Sequence, residues 1–273
     1  MLKRIDMIEN KKEFKLISKK NPKSLLPNAI TIFGVCLGLS SIKFAIDLNY
    51  SMAVIAIGIA SILDTLDGRV ARLIKGTSKV GKELDSLTDV ISFGVAPSFI
   101  MYFWAINELG KFGWMFVLIY TVCCALRLAR FNLTTIEENE SWKINFFQGV
   151  PSPAAAGLVL LPLILSLSGI VEFENKAIFS AAFIFLTSLL MVSNIPTYSL
   201  KKIVIPRSSG IFLLLGIGIF LSLVIFYTFE TLFFTGVIYI LLIPISYFHY
   251  KQKNKKFLRT FREDEEEETE DIL

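Results

Sequence analysis

The sequence is poor in the residues that serve most soluble catalysts. It holds a single histidine, His249, and three cysteines, Cys36, Cys123 and Cys124, among 273 residues. One histidine excludes histidine-based zinc hydrolysis, which draws on several such ligands. The cysteines all fall inside apolar runs, so the pattern holds neither a disulfide framework nor a paired-cysteine metal site, and they read as small core residues. Charge is scarce as well: 19% of residues are charged and 53% hydrophobic, against about 25% charged in a soluble domain. Mean hydropathy is +0.60. That balance excludes a soluble globular enzyme, a disordered chain and a secreted disulfide scaffold, and it argues against a nucleic-acid binder despite a net charge of +4. A cleavable signal is missing too, because Lys3 to Lys23 is densely charged and no small-residue cleavage site follows a short apolar core. There is no tandem repeat, and no inverted pair of broken apolar halves of the kind transporters use.

What is present is a series of apolar stretches close to the roughly 20 residues that cross a bilayer as helix. Eight can be read: Asn28–Ile46, Ser51–Ile74, Gly81–Ile106, Phe112–Phe131, Pro151–Ile170, Ala177–Ile195, Gly210–Tyr227 and Leu232–Tyr250. The fold class is therefore an all-α integral membrane protein of about eight transmembrane helices. Of the 28 Lys and Arg residues, 25 fall in the N-terminus, residues 69–82, 127–143 and 201–207, and the C-terminus. Eight spans put all five segments on one face, which the positive-inside rule makes cytoplasmic, with both termini on that side. Residues 1–24 read either as an amphipathic helix on the inner leaflet or as a loose basic leader. The run from Glu263 to Asp271 holds eight of the 24 acidic residues and reads as a solvated tail held open by self-repulsion.

One stretch breaks the apolar logic. Asp64, Asp67, Gly68, Ala71 and Arg72 follow the i, i+3, i+4, i+7, i+8 spacing of one helix face, where simple packing would require apolar side chains. After a short basic turn, Gly81, Asp85 and Asp89 stack four apart on a second stripe. Two antiparallel helices would then present four carboxylates to one another. An aspartate at membrane depth costs about 2.5–3.5 kcal/mol, and mutual repulsion among four is relieved only by protons or cations. Hard oxygen ligands suit Mg²⁺ or Mn²⁺, and two divalent cations would balance the four charges. Two metals clamp the attacking and leaving oxygens of an in-line phosphoryl displacement. From spacing alone a solvated acidic–basic turn between two spans stays open.

Asp64–Asp89 matches without a gap the pattern D-x2-D-G-x2-A-R-x8-G-x3-D-x3-D, and on these residues the chain resembles the CDP-alcohol phosphotransferase family. The resemblance implies a helical membrane enzyme that moves a phosphatidyl-type group from a CDP-linked lipid to an alcohol and releases CMP. It implies that Asp64, Asp67 and Asp85 hold one metal, that Asp64, Asp85 and Asp89 hold a second, and that Asp89 is the catalytic base. Gly68, Arg72 and Ser78 would contact the CDP moiety, as would Asn28 and Thr31 in Pro27-Asn28-Ala29-Ile30-Thr31, which resembles the family's N-x2-T element. Arg72 as a snorkelling anchor is the rival reading. The stretches from Cys123 to Asn132 and from Phe146 to Ala156 resemble the phosphatidylserine synthase branch, with Val150 where the branch usually has leucine. That branch implies CDP-diacylglycerol and L-serine as substrates, and a homodimer.

Arg127 and Arg130, three apart, could meet an acceptor carboxylate or phosphate beside the metals; plain positive-inside anchoring is the alternative. Pro151 and Pro153 suit the first turn of a span. His249 reads as an interfacial residue, and as the lone histidine it excludes transferase chemistry built on paired HxKxxxxD motifs. The implied divisions are a basic leader 1–27, a six-helix catalytic core 28–196, two further helices in 197–250 and a tail 251–273. A sister transferase using inositol phosphate, glycerol phosphate or choline, and a non-catalytic cation carrier or scaffold, are the remaining readings.

Overall fold

A computed structural model describes residues 25–74, 76, 78–133, 145–171, 173–199 and 210–270. The expectations for residues 1–24 and for the 201–207 loop fall outside them. Each of the eight apolar stretches folds as helix. The first two are α1 (Leu25–Ile46) and α2 (Tyr50–Leu73). The third is compound: α3 (Lys79–Asp89), a π-helical segment (Val90–Val95) and α4 (Ala96–Trp104). Then come α5 (Lys111–Leu133), α6 (Ser152–Val159), α7 (Leu161–Leu167) and α8 (Lys176–Val192). The last are α9 (Gly210–Phe226) and α10 (Thr228–Glu270).

Five of these are long and apolar enough to cross a membrane: Leu25–Ile46, Tyr50–Leu73, Val80–Trp104, Lys111–Leu133 and Thr228–Lys255. Lys176–Val192 and Gly210–Phe226 are shorter apolar helices, and the expected span from Pro151 to Ile170 is broken at Leu160. Pro162, in the first turn of α7, has no N–H to continue the preceding ladder. At the other end of the chain, helix continues through the acidic run to Glu270, where an open tail was expected. Glu, Lys and Arg are strong helix formers.

The all-α expectation needs one addition. Phe146–Gln148 (β1) and Pro196–Tyr198 (β2) pair antiparallel, with Phe146 opposite Tyr198. Their rings stack at 5.7 Å, and Phe146 also meets the rings of His249 and Tyr250 edge-on. This ribbon ties the start of α6 to the end of α8 and gives α10 a surface to dock on.

The core is built from small and medium side chains. Ala53, Ile57 and Ala60 of α2 pack with Phe93 and Ala96, with Cys124 of α5 and with Ala155 and Ala156 of α6. Small residues at the contacts let helices approach closely where apolar burial alone gives little drive. By contrast α9 has no buried residue, as expected of an all-round apolar helix facing lipid. Polar bonds gather at two opposite ends. At one, Asn132 Nδ2 donates to Ser86 Oγ at 2.8 Å and Arg130 to Asn194 Oδ1 at 3.0 Å. At the other, Lys176 meets Glu108 at 3.2 Å and Lys43 pairs with Asp47.

The π-helical segment begins directly after Asp89. Its register change, with Ala96 N–H reaching back to Ile91 O, is the kind of insertion that recurs at functional sites. The fully buried Tyr120 of α5 donates its hydroxyl to Phe93 O at 3.0 Å and satisfies a carbonyl inside this segment. Tyr120→Phe is therefore expected to leave that carbonyl unpaired at a cost of about 1–3 kcal/mol, read as a lowered melting temperature of the purified protein in detergent. An unchanged melting temperature would show that the bond does not hold the segment.

Candidate active site

Asn49 caps the start of α2 by accepting the Met52 N–H at 3.2 Å, and Ser78 caps α3 by accepting the Gly81 N–H at 2.9 Å. These starts fix the helical phase of the motif residues. Asp64, Asp67 and Asp85 each offer a carboxylate oxygen, and the three oxygens lie within 4.8 Å of one another. Two helices thus bring together acids 21 residues apart in the chain. Asp67 is 4% exposed, and its Oδ2 lies 2.6 Å from Thr31 Oγ1, a hydroxyl that also sits 3.0 Å from Pro27 O.

Asp89 stands one helical turn beyond Asp85 and outside the three-acid cluster. Its carboxyl group is a hydrogen-bond partner of Asp64, while its Oδ1 is buried without a partner among the described residues. The four acids therefore form a trio with a fourth member linked through Asp64. The donor set fits hard divalent cations: convergent carboxylate oxygens and one unsatisfied buried oxygen next to them.

Beside the acids lies a cleft of about 460 Å³. Asn28 and Thr31 of α1 line it, with Asp67 and Gly68 of α2 and with Ser78, Gly81 and Asp85 on the other side. A side chain at Gly68 would meet no protein atom within 4 Å and would instead occupy the cleft. At Gly81 the reason for glycine is closeness: a Cβ would come within 2.9 Å of Asn28 Oδ1 and 3.0 Å of Ser78 Oγ. Arg72 is not among the lining residues; its Nε donates to Gly68 O at 3.0 Å, one turn back on its own helix, and its side chain is exposed. Among the described residues the cation lining the cleft is Lys82, which the motif spacing did not single out although it follows Gly81 directly.

Arg127 is 8% exposed. One guanidinium nitrogen donates to Ser152 Oγ at 2.6 Å, Nε is buried without a partner among the described residues, and the group lies 5.8 Å from the Phe131 ring centre. It is within electrostatic reach of Asp89 and Asp64. Ser152 is delivered by Gly149, whose φ of +71° and a Cβ position only 2.5 Å from Met191 O require glycine. Thr197 Oγ1 of β2 donates to Gly149 O at 2.8 Å and fixes that turn. Sequence reasoning read Pro151 and Pro153 as a helix start, which they form, and missed that Ser152 between them orients Arg127. Arg130 donates to Asn194, a different hydrogen-bond partner from that of Arg127.

With this geometry in view, the match to known proteins is direct. The model of the CDP-alcohol phosphatidyltransferase family matches residues 24–193. The chain belongs to that family. Among similar proteins is the CDP-diacylglycerol–serine O-phosphatidyltransferase of Helicobacter pylori (strain ATCC 700392 / 26695), 42% identical over 205 residues, covering 75% of this chain and 83% of the relative. The protein of the same description from Mycobacterium leprae is 34% identical over 223 residues, covering 81% and 74%. That from Bacillus subtilis (strain 168) is 36% identical over 177 residues, covering 65% and 92%. The family match takes in α1 to α8 and every acid of the cluster, while α9 and α10 lie beyond it.

The cluster makes a direct prediction about metal. Mn²⁺ added to the purified protein without any lipid is expected to bind, read by the loss of its free electron-paramagnetic signal. Asp64→Asn should weaken that binding by at least about tenfold, since even outer-shell partners contribute that much. Arg72→Gln should leave it unchanged, and equal binding by wild type and Asp64→Asn would remove Asp64 from the ligand set.

Proposed function

We propose that the protein transfers the phosphatidyl group of CDP-diacylglycerol, or an ether-linked equivalent, to L-serine, forming phosphatidylserine and CMP. The observation that carries this reading is a three-carboxylate cluster near a buried arginine that is partly unpaired among the described residues, with Asp89 hydrogen-bonded to Asp64 and within electrostatic reach of Arg127. The printed names of the relatives support serine as acceptor. An amino-acid acceptor brings a carboxylate, and the free Nε of Arg127 is a donor suited to one.

The cleft holds the nucleotide end of the lipid. Asn28 and Ser78 offer polar contacts at its rim, Lys82 supplies a positive charge toward the diphosphate, and Gly68 leaves the room a phosphate needs. When bound, Mg²⁺ or Mn²⁺ at Asp64, Asp67, Asp85 and Asp89 supplies charge neutralisation at the diphosphate. Thr31 holds Asp67 in place by hydrogen bond, so that its other oxygen stays directed at the cluster. Arg127, itself oriented by Ser152, positions the acceptor so that its hydroxyl points toward Asp89. The hydroxyl oxygen then bonds to the phosphorus bearing the diacylglycerol, the bond from that phosphorus to the CMP oxygen breaks, and Asp89 takes the hydroxyl proton. An alcohol is a far weaker acid than a carboxyl group, so the proton moves late, as the new bond makes it acidic.

In the cell the cleft faces the cytoplasm together with both termini, in line with the basic segments sharing one side. Residues 28–196 form the catalytic core, 197–250 supply two further helices, and the chain works as a homodimer.

Purified protein given CDP-diacylglycerol, Mg²⁺ or Mn²⁺, and each acceptor in turn is expected to release CMP with L-serine. Asp89→Asn should cut that rate by about 10²–10⁴-fold in protein that still inserts into membranes. CMP release with glycerol phosphate, inositol phosphate or choline but not serine would replace the acceptor. Release with no acceptor would remove the transfer.

A further inference from the structure

The last helix, α10, lies beyond the family match and packs against α7 and β2. On α10, Gly236, Tyr239, Ile243, Ser246 and Tyr250 recur at spacings of three and four and form one stripe. That stripe faces the protein. A Cβ at Gly236 would lie 2.0 Å from Leu161 Cδ1, so backbone meets side chain there with no room to spare. Ile243 and Ser246 are buried. One residue before Tyr250, His249 Nδ1 is hydrogen-bonded to the Tyr198 hydroxyl at 3.0 Å. The helix is thereby pinned at both ends of the stripe, against α7 above and against β2 below, and its position at residue 239 is set.

Tyr239 lies between those pins. Its hydroxyl is buried without a hydrogen-bond partner among the described residues, an arrangement that native structures rarely leave without a use. The phenol sits beside Thr197 and within electrostatic reach of Arg127. Thr197 donates to Gly149 O, and Arg127 has one nitrogen committed to Ser152 while its Nε is unpaired among the described residues. Two donors, a guanidinium N–H and a phenolic O–H, thus remain in one buried region without a hydrogen-bond partner among the described residues. A carboxylate accepts from several directions at once and would satisfy both.

We infer that Tyr239 is a specificity-determining residue that, with Arg127, binds the carboxylate of the acceptor amino acid. This rests on the serine reading of the site. The consequence is a division of labour: the family-matched helices hold the nucleotide-linked lipid and the reacting groups, and α10 adds the contact that distinguishes an amino acid from a simple amino alcohol. A site built to bond a polar group rejects analogues lacking that group, because its own donors are then left unpaired.

The test is Tyr239→Phe, which removes the hydroxyl and keeps the ring. The expected result is a KM for L-serine raised about tenfold, with the KM for CDP-diacylglycerol and the kcat at saturating serine within about twofold of wild type. With ethanolamine, which lacks the carboxylate, wild type and variant should be equally poor. Ser246→Ala, on the same stripe, should leave the serine KM unchanged. Thermal stabilisation of the protein by L-serine, measured without turnover, should fall in Tyr239→Phe. An unchanged serine KM and unchanged stabilisation in Tyr239→Phe would overturn the assignment while leaving the transferase reading intact. So would an equal rise in KM for Ser246→Ala, which would make the effect one of helix packing. A wild-type protein that turns over another acceptor and not serine would overturn both.

Discussion

Three carboxylates whose oxygens converge within 4.8 Å at the end of two apolar helices repel one another, and the surrounding protein exists largely to hold them there. In water such a group would spread apart; in an apolar layer each acid is costly and cannot leave. The restraints are local and identifiable. Thr31 ties Asp67 to α1, the caps at Asn49 and Ser78 set where α2 and α3 begin, and Gly81 lets α3 come up against Asn28. Repulsion kept in place in this way is a standing demand for positive charge, which divalent cations and the basic groups near the cleft can meet.

A buried arginine, Arg127, is held within electrostatic reach of these acids. Asp89 is hydrogen-bonded to Asp64 and lies within electrostatic reach of Arg127. The π-helical segment that starts at the next residue lets the chain depart from the phase of α3 as soon as the last acid has been placed. Tyr120 supports that departure from α5. Seven residues further along the same helix, Arg127 reaches Ser152, whose position depends on the Gly149 turn and the Thr197 bond behind it. A short ribbon of two strands in an otherwise helical protein is what fixes that turn.

The motif from Asp64 to Asp89 was readable because helical spacing alone puts Asp64 over Asp67 and Gly68, and Asp85 over Asp89; no long-range information is needed. The apolar stretches were equally plain, being set by the thickness of a bilayer. What spacing could not supply was anything decided by partners far away in the chain. Arg72 shares a face with the acids, yet its guanidinium turns back to Gly68 O. Arg127 and Arg130 sit three apart and still serve different neighbours, Ser152 and Asn194. The pairing of Phe146 with Tyr198 joins residues about 50 positions apart, and segments so short carry no alternating pattern to announce it. The break at Leu160 did have a local sign in Pro162, which a reading by hydropathy alone passes over. Tyr239 is a further case: on sequence it is one more aromatic residue in an apolar helix, and what sets it apart is a buried hydroxyl unpaired among the described residues and within electrostatic reach of Arg127.

The most direct test of the account is an experimental structure determined with Mn²⁺ and CDP-diacylglycerol, with data collected at an energy where manganese scatters anomalously. The account predicts anomalous peaks among Asp64, Asp67, Asp85 and Asp89, touching the diphosphate of a nucleotide lying in the cleft beside Asn28 and Gly68. Acids with no metal between them, or a diphosphate bound away from α2 and α3, would contradict it.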